Sequence, residues 1–226
     1  MQKIRAILFD LDNTLLDFLS MKEQACRAAV RAMIGSGLQM SEDEAYSSLM
    51  QTYFSVGIES DNAFTEFLKQ TGQFDERILR AGIDAYLKTK NIFLKPYPNV
   101  KSVLKQLHGK GITLSIITDA PRTKARQRLQ SMGIESYFNF VVAHEDTGSM
   151  KHTGRPLRLA LQLLRKEMPD IANSEILMVG DSTMRDLEPA KKIGLKTALS
   201  RYGQRIDEPG TPDYELSNFK DLTNII

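Results

Sequence analysis

The chain has 226 residues, 42% hydrophobic and 26% charged, which is ordinary globular usage and excludes a disordered chain. Thirty basic against 28 acidic residues leave a net charge of +2, too balanced for a protein that lives on nucleic-acid phosphates. At this length folding buries roughly 70% of the unfolded surface, so no metal or disulfide is needed to hold the fold together.

The length suits one core domain with an insertion. The first element is an apolar run, Ile4 to Phe9, that stops at Asp10 and reads as a buried strand. Residues 15–95 have another texture, rich in Ala, Met, Glu and Gln at helical spacing. Cys26, Ala29, Val30 and Met33 share one helix face, and Ser41-Glu42-Asp43-Glu44 reads as a cap and acidic first turn of a second helix. About four helices and no strand are expected there. Pro96-Tyr97-Pro98 closes the segment.

Beyond Pro98 helix and strand alternate. A helix is expected over Val100 to Leu107, a strand over Ile112 to Ile117, and a helix over Pro121 to Met132 with Pro121 at its first position. A short strand follows over Phe140 to Ala143, then a helix over Pro156 to Lys166. A strand over Ile176 to Val179, a helix over Met184 to Ile193 and a last core strand over Lys196 to Leu199 complete the pattern. This alternation implies an α/β fold, a doubly wound parallel sheet with helices on both faces. Its core is residues 1–15 plus 96–226, and residues 16–95 form a helical insertion. Ligands of such sheets bind beyond the carboxyl ends of the strands, and an insertion leaving after the first strand is placed to act as a lid.

Polar groups sit at those strand ends. They are Asp10-Leu11-Asp12-Asn13-Thr14, then Thr118-Asp119, then Gly180-Asp181 with Asp186 a helical turn further on. Lys151 lies in the loop after the third strand. A parallel sheet brings them to one edge. Carboxylates so crowded stay ionised at neutral pH only if a cation joins them, and all-oxygen ligation points to Mg²⁺. A cation beside Lys151 and Thr118 makes a pocket for a phosphoryl group.

These residues resemble the haloacid dehalogenase superfamily, in its phosphatase type with a helical cap after the first strand. The family's DxDxT matches Asp10-Leu11-Asp12-Asn13-Thr14, its strand-ending Thr or Ser matches Thr118, its Lys matches Lys151, and its GDxxxxD matches Gly180-Asp181 with Asp186. The resemblance implies a Rossmann-like core with Asp10 as nucleophile and Asp12 as acid and base. It also implies Thr118, Asp119 and Lys151 around the phosphoryl oxygens. Mg²⁺ would be held by Asp10, the Asp12 backbone carbonyl, Asp181 and Asp186, the last of which is otherwise the partner of Lys151. Two positions depart from the family. The usual Lys-Pro is Lys151-His152-Thr153-Gly154-Arg155-Pro156, which leaves Arg155 as a rival to Lys151. Asp119 stands where Asn is common, and it is also suited to cap the next helix.

The function expected is a Mg-dependent phosphatase acting on a small phosphorylated metabolite through an aspartyl-phosphate. Rivals are a phosphomutase, a metal-independent 2-haloacid dehalogenase (against which Asp12 argues) and a non-catalytic binding protein that kept the fold. No nucleic-acid or membrane partner is expected. Cys26, the one cysteine, reads as a buried apolar residue and suits a reducing cytoplasm. No apolar run nears the roughly 20 residues of a membrane span. The opening Met1-Gln2-Lys3-Ile4-Arg5 is unlike a secretion signal. A monomer or homodimer is expected. Asp17 is read as facing the hinge formed by the two chain crossings near Leu15 to Asp17 and Lys95 to Pro98, His152 as outside the site, the basic run Arg122, Lys124, Arg126, Arg128 as the solvated face of a helix, and the ten methionines as packing.

Overall fold

The computed structural model describes residues 3–226. The chain divides into two compact units, one running up to Asp17 and resuming over Lys95–Ile226, the other Phe18–Leu94.

The second unit is helical: α1 (Phe18–Gly35), α2 (Glu42–Val56), α3 (Ala63–Gln70) and α4 (Glu76–Phe93). Cys26, Ala29, Val30 and Met33 of α1 are buried with Leu49, Tyr53, Phe67 and Ile78 in one apolar core. Ser41 caps α2 by accepting from Glu44 N, and Glu44 returns the bond to Ser41 N, so two N–H groups at the helix start are satisfied. Asp75 caps α4 through Arg77 N and Ile78 N. Gly82 lets α4 approach α1: a Cβ there would stand 2.1 Å from the Met33 methyl carbon.

In the first unit the described residues form six strands: β1 (Ala6–Phe9), β2 (Thr113–Ile117), β3 (Val141–Val142), β4 (Ile176–Gly180), β5 (Lys196–Ser200) and β6 (Tyr214–Leu216). All pair in parallel, in the order β3-β2-β1-β4-β5-β6. The helices are α5 (Val100–Gly109), α6 (Arg122–Met132), α7 (Arg155–Glu167) and α8 (Glu188–Lys192). Central strands covered on both faces read as continuous apolar runs, and every residue of β1 and β4 is buried. Side chains of a strand alternate between faces. Ala6 and Leu8 of β1 therefore pack with Leu157, Ala160, Leu161 and Leu164, the i, i+3, i+4, i+7 stripe of α7. The Phe9 ring meets Phe138 and Phe219 instead, at 6.2 and 5.9 Å.

Three expectations need correction. The strand at Lys196 is not the last: β6 adds beside it, with Leu199 opposite Glu215. Three residues after Pro209, Gly210 and Pro212 are too few to show a period. The helix expected from Met184 begins as a π-helical turn over Thr183–Leu187 and continues as α8. Pro189 has no N–H to offer the preceding turn, which widens there. Pro121 is the residue before α6, with ψ 140°, rather than its first helical residue.

The segment between β5 and β6 braces two strand-end loops. Tyr202 Oη donates to Thr14 O at 2.8 Å, and Arg205 reaches Asp17 at 2.6 Å. Glu208 accepts from Ser182 Oγ and Met184 N. Gly203 lies so close that a Cβ would stand 1.6 Å from the Asn13 carbonyl oxygen, backbone that cannot yield cheaply. Gly203→Ala is expected to lower the unfolding free energy by about 1–3 kcal/mol in urea titrations; parental stability would show that the two segments part freely.

Candidate active site

The chain leaves β1 in both directions across the sheet, so the carboxyl ends of β1 and β4 form the switch point where such sheets bind ligands. Phe9 is opposite Val179, and Asp10 N donates to Val179 O at 2.9 Å. Asp10 and Asp181 therefore emerge side by side. After Asp12 the chain turns through Asn13, held at φ 63°, a conformation Asn tolerates better than most residues. The turn brings Thr14 back, and its Oγ1 donates to Asp10 Oδ2 at 3.2 Å.

The other motif residues converge on the same edge. Thr118, buried at the end of β2, accepts from Ala120 N at 3.1 Å. Asp119 Oδ1 accepts from Lys151 N at 2.8 Å, so Asp119 holds the lysine's loop, while the first N–H of α6, Arg122 N, is accepted by Glu145 at 3.0 Å. Lys151 opens a 3₁₀ turn and is buried. Its ammonium donates to Asp10 Oδ1 and lies 2.6 Å from Asp186 Oδ1. Asp186 Oδ2 accepts from Ser182 N. Gly180 makes room for it, since a Cβ there would stand 2.4 Å from that oxygen. The rival Arg155 points elsewhere, to Ser149 Oγ at 3.3 Å, and is exposed.

Asp10, Asp181 and Asp186 each offer a carboxylate oxygen, and these oxygens lie within 4.8 Å of one another, all buried. Burial pushes the Asp10 carboxyl up to about 6; Lys151 opposes the shift and Asp186 adds to it. Burial likewise pushes Asp181 up to about 8, with the charges of Asp10 and Asp186 adding. Burial opposes the charge of Lys151, but Asp10, Asp186 and Asp119 outweigh it and hold the ammonium above its ordinary range. One lysine thus faces three acids. Asp181 Oδ1 is buried without a hydrogen bond, its nearest cation being Arg185 Nη2 at 3.6 Å. Hard oxygen donors, crowded and short of positive charge, fit a divalent cation such as Mg²⁺.

Asp12 does not join this cluster by its carboxylate. Its Oδ2 lies 2.6 Å from Arg128 Nη1, and Arg128 is not on a solvated face: its side chain is 3% exposed. The expectation for that residue is corrected by the structure. Arg122 and Arg126 of the same run do form outward pairs, with Asp146 and Glu135. Arg128, Arg185 and Glu208 are positions near the site that the motifs do not mark. Alternation of the basic run every second residue, against a helical period of 3.6, was the available signal that one member must turn inward.

The sequence model of the haloacid dehalogenase-like hydrolases matches residues 7–200. The chain is 32% identical over 231 residues to the glyceraldehyde 3-phosphate phosphatase of Methanopyrus kandleri, covering 99% of this chain and 97% of that protein. It is 30% identical over 223 residues to the phosphoglycolate phosphatase of Aquifex aeolicus, again covering 99% and 97%. Among solved structures it superposes on the HAD-hydrolase YfnB of Bacillus subtilis, bound to magnesium, with a TM-score of 0.69 at 20% identity over 99% of this chain and 98% of that one.

Raised carboxyl pKa values have a measurable consequence. Between the ordinary carboxylate value of about 4 and the value of about 8 at Asp181, the metal-free folded chain holds more protons than the unfolded chain. Its stability therefore falls as pH rises through that window. Urea midpoints of the metal-free protein should decline from about pH 5 to about pH 8, and Mg²⁺ should stabilise more strongly at the upper end. A Mg²⁺ effect that shrinks as pH rises would contradict this.

Proposed function

The chain belongs to the haloacid dehalogenase-like hydrolases, as a phosphatase-type member, and we propose that it hydrolyses a small phosphorylated metabolite through an aspartyl-phosphate on Asp10. The observation that carries this reading is the convergence of Asp10, Lys151, Asp181 and Asp186 at the switch point of the sheet.

Asp10 is the nucleophile. Its Oδ oxygens are held from two sides, by Thr14 and Lys151, which fixes the carboxylate at the strand end. An oxygen of Asp10 attacks phosphorus, the ester P–O bond breaks, and Asp12 gives its proton to the departing alcohol oxygen. Water then attacks the phosphorus of the acyl phosphate. Asp12 takes the proton of that water, the bond between phosphorus and the Asp10 oxygen breaks, and inorganic phosphate leaves with the carboxylate restored. Lys151 and Thr118 receive the phosphoryl oxygens, and Asp119 keeps Lys151 in place through its backbone N–H. Asp10, Asp181 and Asp186, with the backbone carbonyl of Asp12, would hold Mg²⁺. When bound, the ion supplies the positive charge that a phosphoryl transfer requires among carboxylates.

The relatives' names support this substrate class, so glyceraldehyde 3-phosphate and phosphoglycolate come first in a substrate panel. The helical unit is the cap domain in this reading. Among the described residues no helix is long and apolar enough to cross a membrane. The single cysteine, buried and free, suits work in the cytoplasm.

Asp10→Asn should lower phosphate release from these esters by more than about 10⁴-fold while leaving the circular dichroism spectrum unchanged. Removing divalent ions with EDTA should silence the parent, and Mg²⁺ should restore it. Hydrolysis by the Asn variant near the parental rate would exclude Asp10 as nucleophile. Full activity in EDTA would exclude the cation. Formation of an isomeric phosphate ester in place of inorganic phosphate would show a mutase.

A further inference from the structure

The contact between Arg128 and Asp12 is not accounted for by the motifs or by the reaction as written. Arg128 comes from the middle of α6 and spans 116 positions of sequence to reach Asp12. Its side chain is 3% exposed, that of Asp12 20%, and Nη1 lies 2.6 Å from Oδ2. Burying a guanidinium is costly unless a partner compensates, and the exposed pairs of Arg122 and Arg126 show that the same helix can place arginines at the surface. The Asp12 carboxylate is not one of the three in the cluster, and Arg128 contacts it directly. A planar guanidinium, unlike an ammonium, fixes the direction of a carboxylate as well as its distance.

We propose that Arg128 is a positioning residue that sets the orientation of the Asp12 carboxyl group for proton transfer to the leaving alcohol and from the attacking water. The inference rests on the reading of Asp12 as the acid and base. In the first half-reaction the ester P–O bond breaks as phosphorus bonds to Asp10, and the Asp12 proton passes to the alcohol oxygen. The resulting Asp12 carboxylate stays against Arg128 and accepts the proton of the incoming water in the second half. Misorientation therefore harms both halves, but the first only when the leaving oxygen needs a proton.

That asymmetry gives the test. The parameter kcat/KM reports steps up to release of the alcohol, while kcat also includes breakdown of the phosphoenzyme. The protein is assayed with Mg²⁺ on glycerol phosphate, a poor leaving group, and on 2,4-dinitrophenyl phosphate, a good one. For Arg128→Met, kcat/KM on glycerol phosphate should fall about 10- to 100-fold and on the dinitrophenyl ester less than about 3-fold. The kcat on the aryl ester should fall too, with a burst of dinitrophenol equal to the enzyme present. Arg128→Lys keeps the charge without the planar guanidinium and should show the same split more weakly; it also carries the test should the Met variant not fold. Asp12→Asn should show the split at full size, and adding Arg128→Met to it should cost little more. Equal losses on both esters, or no loss, would overturn the role of Arg128 while the split in Asp12→Asn leaves the acid assignment standing. If Asp12→Asn itself shows no split, both fall.

Discussion

Three carboxylates buried within 4.8 Å of one another with a single lysine set the terms for this molecule. At that separation each pair of like charges repels by roughly 3–4 kcal/mol at an effective dielectric constant of about 20. A fold chosen only for stability would put apolar residues there, as it does along the whole of β1 and β4 below. The strain on charge shows in the carboxyl groups, driven up to about 6 at Asp10 and about 8 at Asp181. A divalent cation would remove the conflict, and once bound it would make a receptor for an anion out of a cluster of acids.

The fold supplies the crowding through topology. Asp10 and Asp181 are far apart in sequence but follow two neighbouring parallel strands whose register is fixed by the Phe9–Val179 pairing. Small residues then admit the close approaches: Gly180 leaves space for the Asp186 carboxyl, and Gly203 lies against the Asn13 carbonyl. The segment after β5 ties the loop of the first strand to that of the fourth, through Tyr202 on one side and Glu208 on the other. The helical unit, by contrast, has its own core around Met33, Tyr53 and Phe67 and its own caps at Ser41 and Asp75. It interrupts the α/β unit in sequence at a point where the backbone already pairs Leu16 with Pro96.

What could be read from the sequence was what depends on local pattern. Apolar runs ending in Asp or Thr mark strands and their carboxyl ends, and the Ser41 box marks a helix start; both appear in the structure as read. The motif residues Asp10, Thr118, Lys151, Asp181 and Asp186 are brought to one edge because parallel strands can do nothing else with their ends. What depends on distant contacts was not legible. β6 is three residues long and exists because β5 offers an edge. The π-helical turn lies just ahead of Pro189, which has no N–H for the turn before it. Arg128 looks like one of four basic residues on a solvated helix, and its pairing with Asp12, 116 positions away in sequence, leaves no local trace.

The central claim is that these acids are a cation site, and crystals soaked in Mn²⁺, which takes the place of Mg²⁺ and scatters anomalously, test it most directly. The account predicts one strong anomalous peak within about 2.0–2.3 Å of oxygens from Asp10 and Asp181. A peak bound elsewhere on the protein, or none at a concentration of Mn²⁺ that supports turnover, would contradict it.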